Sequence, residues 1–247
     1  MKKNGPKQPD FLAFQFSNKL DAFRSNLNPK QEKQFMELMD YLFSLFGGSQ
    51  ENDEDNEDDG FFIDLFPVRR LTIKFQLKNV KPAVWRKLEI PSNLTLEGLS
   101  MVIQVAMGWD GSHLHEFRKG KMVVEEDDEM DLPVGDFLYA KGDKLTYEYD
   151  MGDSWEHWVE LVADPVEDER REIRIIGGKN ACPPEDFGGP WYYTDFVKAW
   201  LNHDETALKG EFSETVEWLG EVFDPAEFDL EAVQEELDAL QEEFDED

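Results

Sequence analysis

Leu71, Ile73, Phe75 and Leu77 alternate with Thr72, Lys74, Gln76 and Lys78. A period of two places the apolar set on one face of a strand and the polar set on the other, so this segment is predicted as a half-buried β-strand that must meet a core. The alternation returns at residues 145–149 and 155–161, on either side of Asp150-Met151-Gly152-Asp153, which reads as a hairpin. Further extended runs are expected at 84–90, 112–117 and 172–176. Helical spacing takes over at 95–107, where Leu96, Leu99, Val102, Ile103 and Ala106 share a face and Gly108 stops the run, and again beyond Tyr193. Strands and helices mix without the strict alternation of a parallel sheet. The fold class that follows is α+β, a mixed or antiparallel sheet with packed helices.

The two ends carry their own signals. Asn28-Pro29-Lys30-Gln31 reads as a helix N-terminus, followed by Phe35, Leu38, Met39, Leu42, Leu45 and Phe46 and closed by Gly47-Gly48. The acidic run at 51–59 reads as a linker. The organisation expected is an N-terminal helical extension (1–50), an acidic linker (51–67) and a main domain (68–247) ending in an acidic helix. That last helix is signalled by the capping box Asp224-Pro225-Ala226-Glu227 and the stripe Leu230, Val233, Leu237, Leu240 and Phe244.

Apolar residues make up 40% of the chain and aromatics 13%, enough bulk to fill a core and exclude wholesale disorder. Net charge is −31, and every charged residue from Gly210 to Asp247 is acidic. Such a surface repels phosphate backbones, so direct nucleic-acid binding is disfavoured. Arg69 to Lys87 runs the other way, with basic residues and no acid. It reads either as a solvated strand face paired with the acidic tail or as an anion-contact strip. Cys182 is the only cysteine, which excludes an internal disulfide and fits a reducing compartment. Met1-Lys2-Lys3 is not followed by the apolar stretch of a secretory signal, and no apolar run is long enough to cross a bilayer, so a cytoplasmic protein without membrane contact is expected. Phosphate-loop, dinucleotide, zincin and nucleophile-elbow motifs do not occur.

Three segments concentrate residues capable of chemistry. His113 and His115 lie two apart beside Glu116, and on a strand that spacing would put both imidazoles on one face. His157 shares its predicted strand face with Trp155, and Asp150 and Asp153 are its nearest carboxylates in sequence. Ala181-Cys182-Pro183-Pro184-Glu185-Asp186-Phe187-Gly188-Gly189 is a stiffened loop carrying Cys182, Glu185 and Asp186. His113, His115 and His157, with Asp153 or Glu185, could hold a divalent Zn, Mn or Fe ion. The competing reading is a purely structural polar cluster, since carboxylates in such loops commonly bond backbone N–H groups.

These same residues carry a resemblance. Residues 71–77, Lys81-Pro82-Ala83-Val84-Trp85-Arg86-Lys87, Ile103-Gln104-Val105-Ala106-Met107-Gly108-Trp109, Ser112-His113-Leu114-His115-Glu116-Phe117, Tyr147-Glu148-Tyr149-Asp150-Met151-Gly152-Asp153-Ser154-Trp155-Glu156-His157 and the Cys182 loop resemble the plasmid pRiA4b ORF-3-like family. Some of its members are labelled insertion-element passenger proteins of the TnpR type. The chain departs from the family pattern at Met151, where Phe is usual, at Phe187, often a second Cys, and at Trp191-Tyr192-Tyr193, usually a Gly-Tyr pair. The resemblance implies an α+β domain over residues 71–203 and a mobile-element association, without a mechanism.

The leading expectation is a non-catalytic module binding a small ligand or a protein. Its pocket would be formed by His113, His115, Glu116, Asp150, Asp153, Trp155, His157, Cys182, Glu185 and Asp186. The alternatives are a metal-dependent hydrolase, phosphoesterase or nuclease, using a His/carboxylate site, and an interaction protein whose acidic tail mimics DNA.

Overall fold

The computed structural model describes residues 68–125, 132–220 and 223–246. The expected helix after Asn28 and the acidic linker lie outside the described residues. Strands β1 (Arg69–Leu77), β2 (Trp85–Pro91), β3 (His115–Lys119), β4 (Met122–Glu125), β5 (Lys144–Tyr149), β6 (Trp155–Leu161), β7 (Val166–Glu167) and β8 (Arg174–Lys179) form one sheet. Its order is β4-β3-β5-β6-β1-β2-β8, with the short β7 pairing β1, and every pairing is antiparallel. The helices are α1 (Leu96–Met107), α2 (Val134–Phe137), α3 (Gly189–Leu201), α4 (Glu205–Lys209), α5 (Ser213–Leu219) and α6 (Leu230–Glu246). The protein is α+β, as the mixed periodicities require. No helix among the described residues is long and apolar enough to cross a membrane.

Each strand keeps its alternation. Leu71, Ile73 and Phe75 of β1 are fully buried, as are Leu88 and Ile90 of β2 and Val159 and Leu161 of β6. Burying each such side chain is worth about 1.5–3 kcal/mol, which sets the register, since a one-residue slip would expose the whole set. Helix α1 lies on this face. Thr95 caps it by accepting the Gly98 N–H at 3.0 Å, Gly108 ends it at φ +77°, and Leu96, Leu99, Val102 and Ile103 are buried. Ser100 Oγ and Tyr147 Oη, 2.9 Å apart, join α1 to β5 in the buried layer.

Helix α6 covers the β8 edge. Leu237 and Leu240 are buried, and the Gln234 side chain accepts the Ile175 N–H at 2.9 Å and donates to the Ile173 carbonyl at 3.1 Å. The exposed edge of a sheet is thereby blunted. The expected capping box does not cap this helix. Asp224 instead closes a turn, accepting the Ala226 N–H at 2.9 Å, and Asp229 is the side chain that accepts the N–H groups of Glu231 and Ala232 at 3.0 and 3.1 Å. An aspartate sits at both positions, and only the path of the chain after Pro225 selects the second.

The basic segment is split: Lys74, Lys78 and Lys87 are half-buried and Lys81 is exposed, whereas the arginines turn to backbone carbonyls. Arg70 and Arg86 are 6% and 3% exposed. Arg70 donates to the carbonyls of Glu172 and Arg170, and Arg86 is bound among backbone carbonyls. Lys74 and Lys78 sit over the rings of Trp85 and Trp158, and Lys78 lies 3.6 Å from Glu156. Most of this charge is held by the sheet and its loops, not by the acidic tail.

His157 is fully buried between β1 and β5, edge-on to Phe75 and Trp109. Neither ring nitrogen has a well-formed hydrogen bond among the described residues, and the nearby Tyr147 and Trp155 backbone only partly offsets the cost of burial. The expected pairing with Asp150 or Asp153 does not form. Burial pushes the imidazole pKa down to about 3 from 6.5. Between those values the unfolded chain takes up a proton that the folded chain refuses, so stability falls as pH drops through that window. His157→Leu removes this proton uptake. Denaturant melts followed by circular dichroism should show the variant losing about 2 kcal/mol less than the parent between pH 7 and pH 5.

Candidate functional site

The site is built outward from Trp109. After the Gly108 cap the chain turns Trp109 into the core, 5% exposed. Its ring stacks on Tyr149 at 4.7 Å and 13° and touches Trp155, and its indole N–H donates to the Pro183 carbonyl at 2.9 Å. One side chain thus ties the loop after α1, the β5–β6 hairpin and the Cys182 loop together.

The hairpin turn holds itself. Asp150 adopts φ +55°, a conformation that aspartate tolerates better than most residues, and its Oδ1 accepts the N–H groups of Gly152 and Asp153 at 2.9 and 3.3 Å. The Asp150 N–H donates to the Leu114 carbonyl at 3.0 Å, fixing the histidine segment beside the turn. Asp153 reaches across to accept the Gly188 N–H at 2.7 Å. Gly189, at φ +86°, packs so closely that a Cβ there would stand 2.9 Å from the Asp153 carbonyl oxygen.

His113 lies over the end of this assembly, its ring perpendicular to Tyr149. Its Nδ1 is 3.8 Å from Asp150 Oδ1, and its Nε2 is 3.8 Å from Glu185 Oε2 and 3.4 Å from Asp186 Oδ1. His113, Asp150 and Asp186 each offer a ligand atom within 4.8 Å of the others, as residues sharing a metal ion would. Glu185 is held by its other oxygen, which accepts the Tyr149 hydroxyl at 2.9 Å and the Asp110 N–H at 3.0 Å. Its Oε2 is buried without a hydrogen bond among the described residues. Burial pushes the Glu185 pKa up, against the pull of those donors, and burial likewise raises that of Tyr149. Asp186 is largely open to solvent, leaving one side of the site accessible.

The remaining expected residues lie elsewhere. Strand β3 begins at His115, so His113 sits in the preceding loop and the two imidazoles do not share a strand face. His115 is buried against Phe117 and Tyr147. Glu116 pairs with Arg118 on the outer face of the sheet. Trp155 and His157 are sealed in the aromatic layer beneath Trp109. Cys182 faces away from His113, with Arg86 Nη2 at 2.9 Å and Met107 Sδ at 3.2 Å. Burial raises its pKa to about 11 despite the guanidinium, so it remains a neutral thiol. Of the expected pocket, His113, Asp150, Asp153, Glu185 and Asp186 converge. Tyr149 and Asp110 join them, and the sequence marks Tyr149 only as the last residue of an alternating strand.

A model of the plasmid pRiA4b ORF-3-like protein family matches residues 69–232. The chain belongs to that family. A relative, the uncharacterized protein y4hQ of Sinorhizobium fredii (strain NBRC 101917 / NGR234), is 34% identical over 160 residues, covering 60% of this chain and 79% of its own length. The crystal structure of the protein of unknown function MM3350 from Methanosarcina mazei Go1 is similar, with a TM-score of 0.56 and 30% identity. That match covers 68% of this chain and 97% of the archaeal one. The site's three segments all fall inside the family match.

Gly189→Ala should disrupt the joint between the hairpin turn and α3. A side chain at positive φ that also meets a carbonyl is expected to cost roughly 1–3 kcal/mol, readable as a lowered midpoint in thermal denaturation.

Proposed function

We propose that this chain is a non-catalytic binding module whose site takes a divalent cation, Zn²⁺, Mn²⁺ or Fe²⁺, at His113 with Asp150 and Asp186, and with Glu185 alongside. The observation that carries the reading is one imidazole faced by three carboxylates at 3.4–3.8 Å, contributed by a turn and a loop distant in sequence. Those gaps exceed a hydrogen bond. An imidazole binds one ion through one nitrogen. The Nε2 gaps to Asp186 and Glu185 match the spacing of groups that share an ion, since ligands about 2.1 Å from a tetrahedral centre stand about 3.4 Å apart. A ligand atom of Asp150 lies within 4.8 Å of those of His113 and Asp186. An imidazole with carboxylates is a donor set that borderline divalent ions accept.

Charge supports the same class of ligand. Asp150, Glu185 and Asp186 face a single imidazole, Asp110 adds its charge nearby, and no described ion pair brings a lysine or arginine to them. The field therefore favours a cation and disfavours phosphate esters. The histidine-rich hydrolase centre has less support, because His115 and His157 are packed into the core and away from solvent. The acidic tail needs no separate role as a DNA mimic to account for its order, because α6 is docked through Leu237, Leu240 and Gln234.

Calorimetric titration of the chelator-stripped full chain with ZnCl₂ and MnCl₂ tests this. A background of about 0.15 M salt suppresses diffuse binding to the acidic surface. One saturable ion per chain is expected, weakened about 100-fold by His113→Ala and about tenfold by Asp186→Asn, while Glu116→Gln leaves it unchanged. Identical isotherms for the parent and His113→Ala would remove the metal from this site.

A further inference from the structure

A second site lies on the other side of α1. Arg86 projects from β2 into the buried layer, 3% exposed, where a guanidinium cannot shed its charge. Buried charges are ordinarily paired with an opposite charge. Arg86 has none among the described residues. Its Nε–H donates to the Ala106 carbonyl and its Nη1 to the carbonyls of Trp85, Lys179 and Asn180. Nη2 meets only the Cys182 sulfur, and the Phe228 ring covers one face of the guanidinium at 4.2 Å. A guanidinium carries five N–H donors, so Nη2 retains a donor with no oxygen partner among the described residues.

A cleft lies beside Arg86. Arg86 lines a volume of about 340 Å³ between the end of α1 and the segment leading into α6. Its walls include Val105, Met107, Phe223, Phe228 and Val233. The volume falls within the range of small-ligand sites, and apolar walls with a few placed polar groups are their usual make-up. We propose that this cleft binds a small monocarboxylate with an apolar body, its carboxylate against the Arg86 guanidinium and its chain against Met107 and Phe228.

The mouth sets a further condition. Asp224, Glu227, Asp229 and Glu236 also line the cleft. Asp224 and Asp229 are engaged by backbone N–H groups, and Glu227 and Glu236 are exposed. These charges repel an approaching anion, and being at the surface they are screened by salt. The pairing at Arg86 is buried and is screened far less. Binding of a carboxylate here should therefore strengthen as ionic strength rises, the reverse of an ordinary surface ion pair, and dianions such as phosphate should be rejected.

Calorimetry of the full chain with hexanoate, hexanol and hexylamine separates the possibilities. Hexanoate should bind saturably, hexanol about tenfold more weakly or worse, and hexylamine not at all, since a hydrogen bond to a charged group is worth about 1.5–3 kcal/mol. Raising the salt should tighten hexanoate. Arg86→Gln should erase the difference between hexanoate and hexanol. Because that variant also loses buried contacts, Ala232→Trp provides an independent arm. Ala232 is exposed on α6 and lines the cleft, so the indole fills it without touching the core. It should abolish hexanoate binding and leave the unliganded thermal midpoint in place. Hexanol equal to hexanoate, hexylamine preferred over both, undiminished binding in Ala232→Trp, or no saturable hexanoate binding would each overturn the assignment.

Discussion

The contact on which this architecture turns is the seating of the Trp109 indole, stacked on Tyr149 and bonded to the Pro183 carbonyl. Each partner belongs to a different part of the chain, and the contact joins two loops to the β5–β6 hairpin. A large aromatic ring contributes area, and its single donor fixes orientation. With Trp109 seated, His113 follows a few residues later at a defined height above the hairpin turn. Pro183 then delivers Glu185 and Asp186 to the opposite side. The acidic cluster is therefore held by an apolar joint beneath it, which allows like charges to stand close together without each needing its own counter-ion.

Charge is distributed with the same logic. The chain is strongly acidic overall, yet the segment from Arg69 to Lys87, which spans β1 and the start of β2, carries basic residues and no acid. There Lys74 and Lys78 lie on tryptophan rings, Arg70 binds carbonyls of the loop that covers it, and Arg86 is turned inward to bind others. Cations that satisfy backbone oxygens stabilise loops that would otherwise bury unpaired acceptors. The outward field of the molecule is left to its carboxylates, both around His113 and along α6. Both sites are lined by carboxylates, and the cleft near α6 adds a buried guanidinium.

Much of the fold was legible because burial imposes periodicity. The β1 alternation, the β5–β6 hairpin, α1 with its Thr95 and Gly108 ends, and the stripe of α6 all follow from one-face burial, and each is present. Errors fell where competing local signals were equal. Ser112-His113-Leu114 continues the pattern of a strand, but the turn begun at Gly108 and the Asx contact of Ser112 with Asp110 delay β3 to His115. Asp224 and Asp229 are both plausible caps, and packing against β8 chose between them. The short β4 and β7, of four and two residues, carry too few alternations to announce themselves.

For the site, the sequence by itself determined the residue types, the three motifs that hold them and the family to which they belong. It also determined that any ligand there would meet net negative charge, because the surrounding carboxylates outnumber the bases whatever the fold. Only the tertiary structure decided which histidine takes part. His113, His115 and His157 are chemically alike, but β-pairing turns His115 and His157 into the sheet's buried layer and leaves His113 in a loop facing Asp150, Glu185 and Asp186. Likewise Cys182 and Glu185 are three residues apart, and the stiff prolines between them send one to Arg86 and the other to His113. Spacing along a chain limits which side chains can meet, whereas the choice among them is made by long-range packing of the aromatic layer.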